Sequence, residues 1–294
     1  MAYRFGLAVV TVLTIGAVLA PVQAQDASKA QDTGKANAAA AKKPPAVRNP
    51  APTAKDWEAI AKLPDWSGVW NPHITDQDAQ VKTNMPPWKP EILPKIVQML
   101  AEEKAGRPAP IVVSCLPQGM PAWMLITHNA MEILYSPGRV TLLGESDGNR
   151  LRRIFTDGRG HPDDGEESFF GHSIGHWEGD TLVVETVGVK PQTMFAINEA
   201  AGVPNNGGMK VIERIHLGAP DVLHNDIEIT APAVLTKPWK TTRKYFRQRV
   251  RKFDIVEGVC LEGNYSERID KDGNHVFVEI ARDPMGNITP PKKQ

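Results

Sequence analysis

The sequence has 294 residues, of which 34 are acidic and 34 are basic, so its formal net charge is zero. This balance argues against nucleic acid and anionic membrane surfaces as partners, because both select strongly basic proteins. Hydrophobic residues make up 41%, as in an ordinary globular protein, and the length suits one large or two small domains.

Residues 1–24 have the three parts of a secretory signal. Arg4 provides a positive charge, residues 5–20 are almost uninterruptedly apolar, and Val22 and Ala24 precede an expected cleavage before Gln25. The apolar run is shorter than the roughly 20 residues that cross a bilayer, so we expect cleavage rather than a membrane anchor. The mature protein would be periplasmic or secreted, with no membrane span after signal cleavage.

Residues 25–55 are rich in Ala, Lys and Pro and contain no aromatic residue, which predicts a disordered tether. A single domain is then expected over residues 56–290. Its first elements are a short helix over 56–61 and a longer helix over 90–105, where apolar residues recur at helical spacing.

From about residue 129 apolar residues recur at every second position instead of at helical spacing, which predicts strands. Three hairpins are expected, at 131–135 with 139–143, 172–177 with 181–187, and 210–217 with 222–230. Further strands are expected at 65–70, 151–156, 241–249 and 275–281.

Successive hairpins with little helix between them predict a mainly β protein built as an antiparallel meander. Closing the meander into a barrel removes exposed strand edges, although an open sandwich is an alternative. The pair Gly68-x-Trp70 in the first strand is typical of lipocalin-type barrels. The predicted fold is therefore a lipocalin-like barrel with short N-terminal helices.

The chain has two cysteines, Cys115 and Cys260, on either side of most of the strand-rich region. In an oxidising compartment such a pair predicts a disulfide, which would clamp the two ends of the β-structure. A nucleophilic cysteine is the alternative, but no Cys-His motif surrounds either residue.

The most distinctive string is S-I-G-H-W-E-G-D-T-L-V-V-E-T, from Ser173 to Thr186. It resembles a motif of a family of secreted proteobacterial proteins. Shorter matches lie at 115–121, 137–139, 153–162 and 238–239, so the resemblance covers roughly residues 63–265. It implies a secreted, β-rich protein and transfers no catalytic residue, because the family has no secure shared reaction. His176 departs from the family pattern.

Alternation places His172 and His176 on one strand face, and Glu185 between two valines on a face of the partner strand. Glu185 is then either in a barrel lumen or on a poorly solvated surface. A lumenal carboxylate needs a partner, and a nearby histidine or arginine would tune its pKa for general base catalysis. The alternative is a salt bridge that joins two strands. Glu132, between Met131 and Ile133, carries the same ambiguity.

The turn over residues 156–162 gathers Asp157, Arg159 and His161. Turn chemistry alone explains Asp-Gly and a local Asp–Arg pair. The functional alternative is a polar rim of a pocket, with His161 as acid or base and Arg159 binding an anionic group. Ser173 matches Gly-x-Ser-x-Gly by letters, but the following strand contradicts the strand–turn–helix that this nucleophile motif requires.

The sequence leaves three functions open. The first is binding of a small apolar or aromatic-containing ligand, with Glu132, Arg159 and Trp177 as candidate contacts. The second is a lyase, isomerase or hydrolase that draws acid–base residues from a set of five, His172, His176, Glu185, Asp157 and His161. The third is a cell-envelope scaffold. We expect no cofactor and no metal site, because no dinucleotide, ATP or zinc-ligand motif is present.

Overall fold

Nine strands close into a barrel that forms the body of the described structure. In chain order they are β1 (Val69–Pro72), β2 (Met131–Ser136), β3 (Arg139–Gly144), β4 (Leu151–Phe155), β5 (His172–Glu178), β6 (Thr181–Val187), β9 (Lys210–Ala219), β10 (Val222–Thr230) and β11 (Trp239–Arg247). Two hairpins form separate sheets, β7 (Met194–Ala196) with β8 (Gly202–Pro204), and β12 (Tyr265–Ile269) with β13 (His275–Glu279). The helices are α1 (Ala54–Ile60), α2 (Ile74–Lys82), α3 (Leu93–Lys104) and α4 (Ala122–Leu125).

The computed structural model describes residues 49–108, 116–126, 130–145 and 150–257, and the backbone of 265–269 and 275–279. The described residues from Ala51 onward belong to one compact unit. The expected signal segment, most of the expected tether, and both Cys115 and Cys260 lie outside the described residues. Export and the disulfide therefore stay predictions.

Strand order around the barrel follows the chain, apart from the side hairpin β7–β8, so the predicted meander and barrel are confirmed. One pair departs from the antiparallel pattern, because β4 and β5 run parallel through Ile154↔Ser173 and Phe155↔Ile174. A closed ring with an odd number of strands cannot alternate direction throughout. One parallel pair is therefore required, and here residues 156–171 make the crossover that it needs.

Alternating burial along the strands explains why this sequence forms a barrel. In β10, for example, Leu223, Asn225, Ile227 and Ile229 are buried, whereas the residues between them are half-buried. Successive side chains of a strand point to opposite faces, so the buried set faces the interior. Gly179 makes the reversal between β5 and β6 with a φ of 59°, which glycine adopts without steric cost.

The short helix α4 packs against the interior, and all four of its residues are buried. The Tyr245 hydroxyl on β11 donates to the Met124 carbonyl at 3.1 Å, and Gln80 of α2 donates to the Leu125 carbonyl at 3.2 Å. The predicted helices are found as α1 and α3, whereas α2 and α4 lack a clear sequence pattern. None of the described helices has the length and apolar content that a bilayer crossing requires.

Candidate functional site

Five of the predicted site residues lie close together on the outside of the barrel, in what we call the outer-face cluster. Its members are His161, His172, Glu185, Asp157 and Arg159. Glu185 belongs to the half-buried, outward set of β6, since Leu182, Val184 and Thr186 are the buried set. Of the two placements predicted for Glu185, the lumen is wrong and the outer surface is right.

Glu185, His161 and His172 form a chain of polar contacts. The Glu185 Oε1 atom lies 3.4 Å from His161 Nε2, and Glu185 also pairs with Lys210 of β9. His161 Nδ1 lies 2.8 Å from His172 Nδ1, so one of these two nitrogens donates a hydrogen bond to the other. The crossover between β4 and β5 brings His161 back onto β5, which is why these residues meet.

The surroundings of His172 favour its neutral form. Partial burial lowers its pKa first, and the nearby His161 and Arg159 lower it further. The imidazole stacks on the Phe155 ring, with centroids 5.3 Å apart. A neutral imidazole beside a second imidazole and a carboxylate has the group types of a general base.

Asp157 and Arg159 pair with each other in the turn after β4, as turn chemistry predicts. Arg159 Nε lies 2.9 Å from Asp157 Oδ1, and this contact lowers the pKa of the Asp157 carboxyl. The Arg159 guanidinium also lies 4.1 Å above the Phe155 ring centroid. The guanidinium is therefore held against the cluster by a carboxylate on one side and an aromatic face on the other.

A recess of about 330 Å³ adjoins the outer-face cluster and is lined by Arg159, Glu185 and His176 with Val183 and Ile212. His176 is largely exposed and contacts Glu178 at 3.1 Å. It borders the recess without joining the His161–His172 contact.

The remaining two predicted residues lie elsewhere. Glu132 is half-buried on the outer face of β2, whose inward residues are Met131 and Ile133. Trp177 is partly buried and packs against the hydrophobic core, with its ring centroid 5.1 Å from that of Trp66 and 6.1 Å from that of Tyr135. These two residues therefore do not belong to the outer-face cluster.

The barrel interior contains a second polar group, which the sequence interpretation missed. Six consecutive strands of the ring each contribute a buried polar residue to it, and we call the set of one such residue from each strand the interior belt. Its members are Arg152 (β4), Ser173 (β5), Thr186 (β6), Glu213 (β9), Asn225 (β10) and Arg243 (β11).

Arg152 and Glu213 form the centre of the interior belt. The guanidinium contacts both carboxylate oxygens, at 3.0 Å for Nη1 to Oε1 and more closely for Nη2 to Oε2. Arg152 also donates to Thr186 at 3.0 Å, and Asn225 donates to Glu213 Oε1 at 2.9 Å. Both charged side chains are essentially inaccessible to solvent, at 1% and 0% exposure. These hydrogen bonds hold the buried pair in place, and the Arg152 Nε atom alone of its charged groups has no partner among the described residues.

Arg243 lies at the end of the interior belt and differs from Arg152. It is fully buried, and none of its three guanidinium nitrogens makes a close, well-aligned hydrogen bond with the described residues. It faces Asn225 across the β10–β11 ladder, and the Asn225 Oδ1 atom also lacks a partner there. The Tyr245 hydroxyl donates to the Met124 carbonyl of α4, and the Arg243 guanidinium acts on the same hydroxyl both through its charge and as a hydrogen-bonding neighbour.

The opposite side of the interior is apolar. The inward residues of β1, β2 and β3 include Trp70, Met131, Ile133, Val140 and Leu142, all of them buried. They join the aromatic and methionine side chains of α4 in one hydrophobic cluster. The interior is therefore amphipathic, because six strands contribute buried polar groups among apolar ones, whereas the buried residues of β1, β2 and β3 are apolar.

A sequence signal for the interior belt exists in the alternation pattern. Glu213 lies in phase with Val211 and Ile215, and Asn225 lies in phase with Leu223 and Ile227. A charged or amide side chain in the phase of the apolar residues indicates a buried polar group.

Comparison with known proteins supplies no identity. No family model matches the chain, and no curated protein matches it significantly. Among the described residues, no group of three or more His, Cys, Asp or Glu side chains is arranged to hold a metal ion.

Proposed function

We propose that this chain is an exported barrel protein that binds a small organic ligand in its interior. The observation that carries the proposal is the fully buried Arg243 guanidinium, which makes no close hydrogen bond with the described residues of the barrel interior. Buried polar groups in proteins are nearly always satisfied, and an exception calls for a ligand, an ion or a water molecule. A closed barrel with an amphipathic interior has the features of small-molecule sites, which combine apolar walls with a few polar groups.

The small apolar or aromatic ligand that the sequence predicts would then have a polar contact with Arg243. The apolar inward faces of β1, β2 and β3 suit the apolar or aromatic body that the sequence predicts. Trp177 lies in the aromatic group with Trp66 and Tyr135, so it lines the core rather than a surface site. Export rests on the composition of residues 1–24 and on the family resemblance.

A thermal-shift screen of purified residues 25–294 tests this function. A ligand at one hundred times its Kd should stabilise the protein by about 2.7 kcal/mol. For a chain of this size, that raises Tm by roughly 5–10 °C. No response to apolar, phenolic and aromatic acid libraries would contradict interior binding.

A second candidate is acid–base catalysis at the outer-face cluster. The observation that favours it is the contact chain from Glu185 through His161 to His172, beside a recess that can hold a small substrate. If turnover is found in a substrate panel, His172→Gln should abolish it while Arg243→Met retains it. Turnover that survives in both His172→Gln and Glu185→Gln would remove the outer-face cluster as the catalytic site.

A further inference from the structure

We infer that the interior ligand is an amphipathic carboxylate, and that Arg243 binds its carboxylate group. This inference rests on the proposed interior binding and names the chemical class of the ligand. It follows from the charges, hydrogen bonds and surroundings of the interior belt.

The charges of the interior belt do not balance. Arg152 and Arg243 contribute two positive charges and Glu213 contributes one negative charge, all on side chains at or below 1% exposure. These same three residues are the charged groups that act on Tyr245 within the barrel. An unpaired charge away from water is unfavourable, so one further negative charge would complete the set.

Hydrogen bonding decides which arginine receives that charge. Glu213 already contacts two nitrogens of Arg152 and the amide of Asn225. Arg152 also donates to Ser173 and Thr186. Arg243, in contrast, makes no close hydrogen bond with the described residues and has the Tyr245 hydroxyl as a polar neighbour, so most of its N–H donors remain for a ligand. A planar fork of N–H donors fits a carboxylate in a bidentate manner, which a single ammonium group cannot do.

The neighbours of Arg243 define the rest of the ligand. Two residues along β11, Tyr245 connects the same inward face to α4 through the Met124 carbonyl. Trp123, Met124 and Leu125 of α4 are buried in the apolar cluster with the inward faces of β1, β2 and β3. An anionic group at Arg243 would therefore have an apolar body beside it, packed against aromatic and methionine side chains.

The test compares matched ligands on residues 25–294, by thermal shift and by calorimetric Kd. The ligands are decanoate and 4-phenylbutyrate, each with its primary amide and its alcohol, and chloride and inorganic phosphate alone. The variants are Arg243→Met and the control Lys244→Met, which removes a positive charge from the next residue of β11 on the outer face.

We expect the carboxylates to bind wild-type protein at least about tenfold more tightly than their amides and alcohols, a difference of about 1.4 kcal/mol. That preference should disappear in Arg243→Met and persist in Lys244→Met. Without ligand, Arg243→Met should melt at the same temperature as wild type or higher, because it removes an unpaired buried charge.

The remaining outcomes separate the two proposals. Equal binding of acids, amides and alcohols would overturn the carboxylate assignment and leave interior binding intact, whereas no binding of any organic ligand would overturn both. Stabilisation by phosphate or chloride alone, lost in Arg243→Met, would replace the carboxylate by an inorganic anion. If Arg243→Met fails to fold or melts far below wild type, protein groups hold this guanidinium and the assignment is wrong. The acid–amide comparison on wild type remains decisive without any variant.

Discussion

The guanidinium of Arg247 lies 4.6 Å above the ring centroid of Trp70, and this contact joins the first and last strands of the barrel. The two residues are also direct partners in the β1–β11 ladder. Arg247 donates to the Ser67 carbonyl at 3.0 Å and to Asp65 Oδ2 at 3.0 Å. The sequence pair Gly68-x-Trp70 therefore lies at the point where the barrel closes.

Replacing Arg247 by alanine should weaken this closure. The change removes a cation–π contact and several charge-assisted hydrogen bonds from a largely buried side chain. We expect a loss of about 2–4 kcal/mol in the free energy of unfolding, measured by urea denaturation. Arg249→Ala is a matched control, because Arg249 is exposed and pairs only at the surface with Asp221. An equal effect of the two substitutions would contradict the closure role of Arg247.

Acid should lower the free energy of unfolding by protonating Asp65, which contacts Arg247 where the barrel closes. Hydrogen bonds from Ser67, and then from Arg247, lower the pKa of Asp65 from its usual 3.8 to about 2. Because the folded state holds this carboxyl ionised, its contribution is complete above about pH 4 and is lost as pH falls toward 2. Asp65→Asn should flatten the decrease in unfolding free energy over this interval. An unchanged pH profile would show that Asp65 contributes nothing to acid stability.

Breaking the buried pair of the interior belt should cost more than breaking any surface pair. Glu213→Gln leaves the Arg152 guanidinium buried without its counter-ion, and we expect a loss of about 3–5 kcal/mol. Replacing both residues by apolar side chains, as in Arg152→Met with Glu213→Leu, should restore part of this loss. Urea denaturation of the single and double variants measures both. A Glu213→Gln protein within about 1 kcal/mol of wild type would contradict the account of this pair.

The histidine contact on the outer face should be visible in a proton NMR titration. Burial, His161 and Arg159 all lower the pKa of His172, so its signals should titrate below 6.5. Since the unfolded chain takes up this proton first, His172 makes the fold less stable as pH falls below 6.5. His161→Gln should raise the pKa of His172 part of the way toward its ordinary value. No change in that variant would contradict the contact between the two imidazoles.

Alkaline titration probes the interior beside Arg243. Burial raises the pKa of Tyr245 to about 12, with the Arg243 guanidinium acting in the opposite direction. Burial also raises the pKa of Tyr135. Since the unfolded chain ionises near pH 10, these tyrosines should make the fold less stable as pH rises above 10. Ultraviolet difference spectra should show tyrosine ionisation that is delayed in wild type and normal after unfolding. Normal ionisation in the folded protein would contradict their burial.

The sequence predicted the strands well because their apolar period and turn residues are local. It could not orient β6, because Val183 and Val187 on one face look as apolar as Leu182 and Val184 on the other. In the structure Leu182 and Val184 are the buried residues, so Glu185 lies on the outer face. In β4, burial is the opposite of what hydropathy predicts, because the apolar Leu151 is 45% exposed and the charged Arg152 is 1% exposed. That reversal depends on Glu213, which is distant in sequence.

The contact between His161 and His172 also could not be predicted from local sequence patterns. The two residues meet because β4 and β5 are parallel, and a parallel pair requires a crossover instead of a hairpin. The prediction of His172 on a strand is confirmed, whereas His161 lies beyond the bend at Asp157 and Gly158, in the irregular segment after β4. Only the closed nine-strand ring, with its one parallel pair, brings the turn back over β5.

Quenching of interior tryptophan fluorescence by a brominated carboxylate tests the location of the binding site most directly. Trp66, Trp70 and Trp123 are buried in the core, whereas Trp57 is 56% exposed on α1. In a Trp57→Phe protein, interior binding predicts saturable quenching by bromodecanoate, with saturation lost in Arg243→Met and retained in Lys244→Met. Weak quenching that rises linearly without saturation, or saturable quenching that is unchanged in Arg243→Met, would contradict a binding site centred on Arg243 inside the barrel.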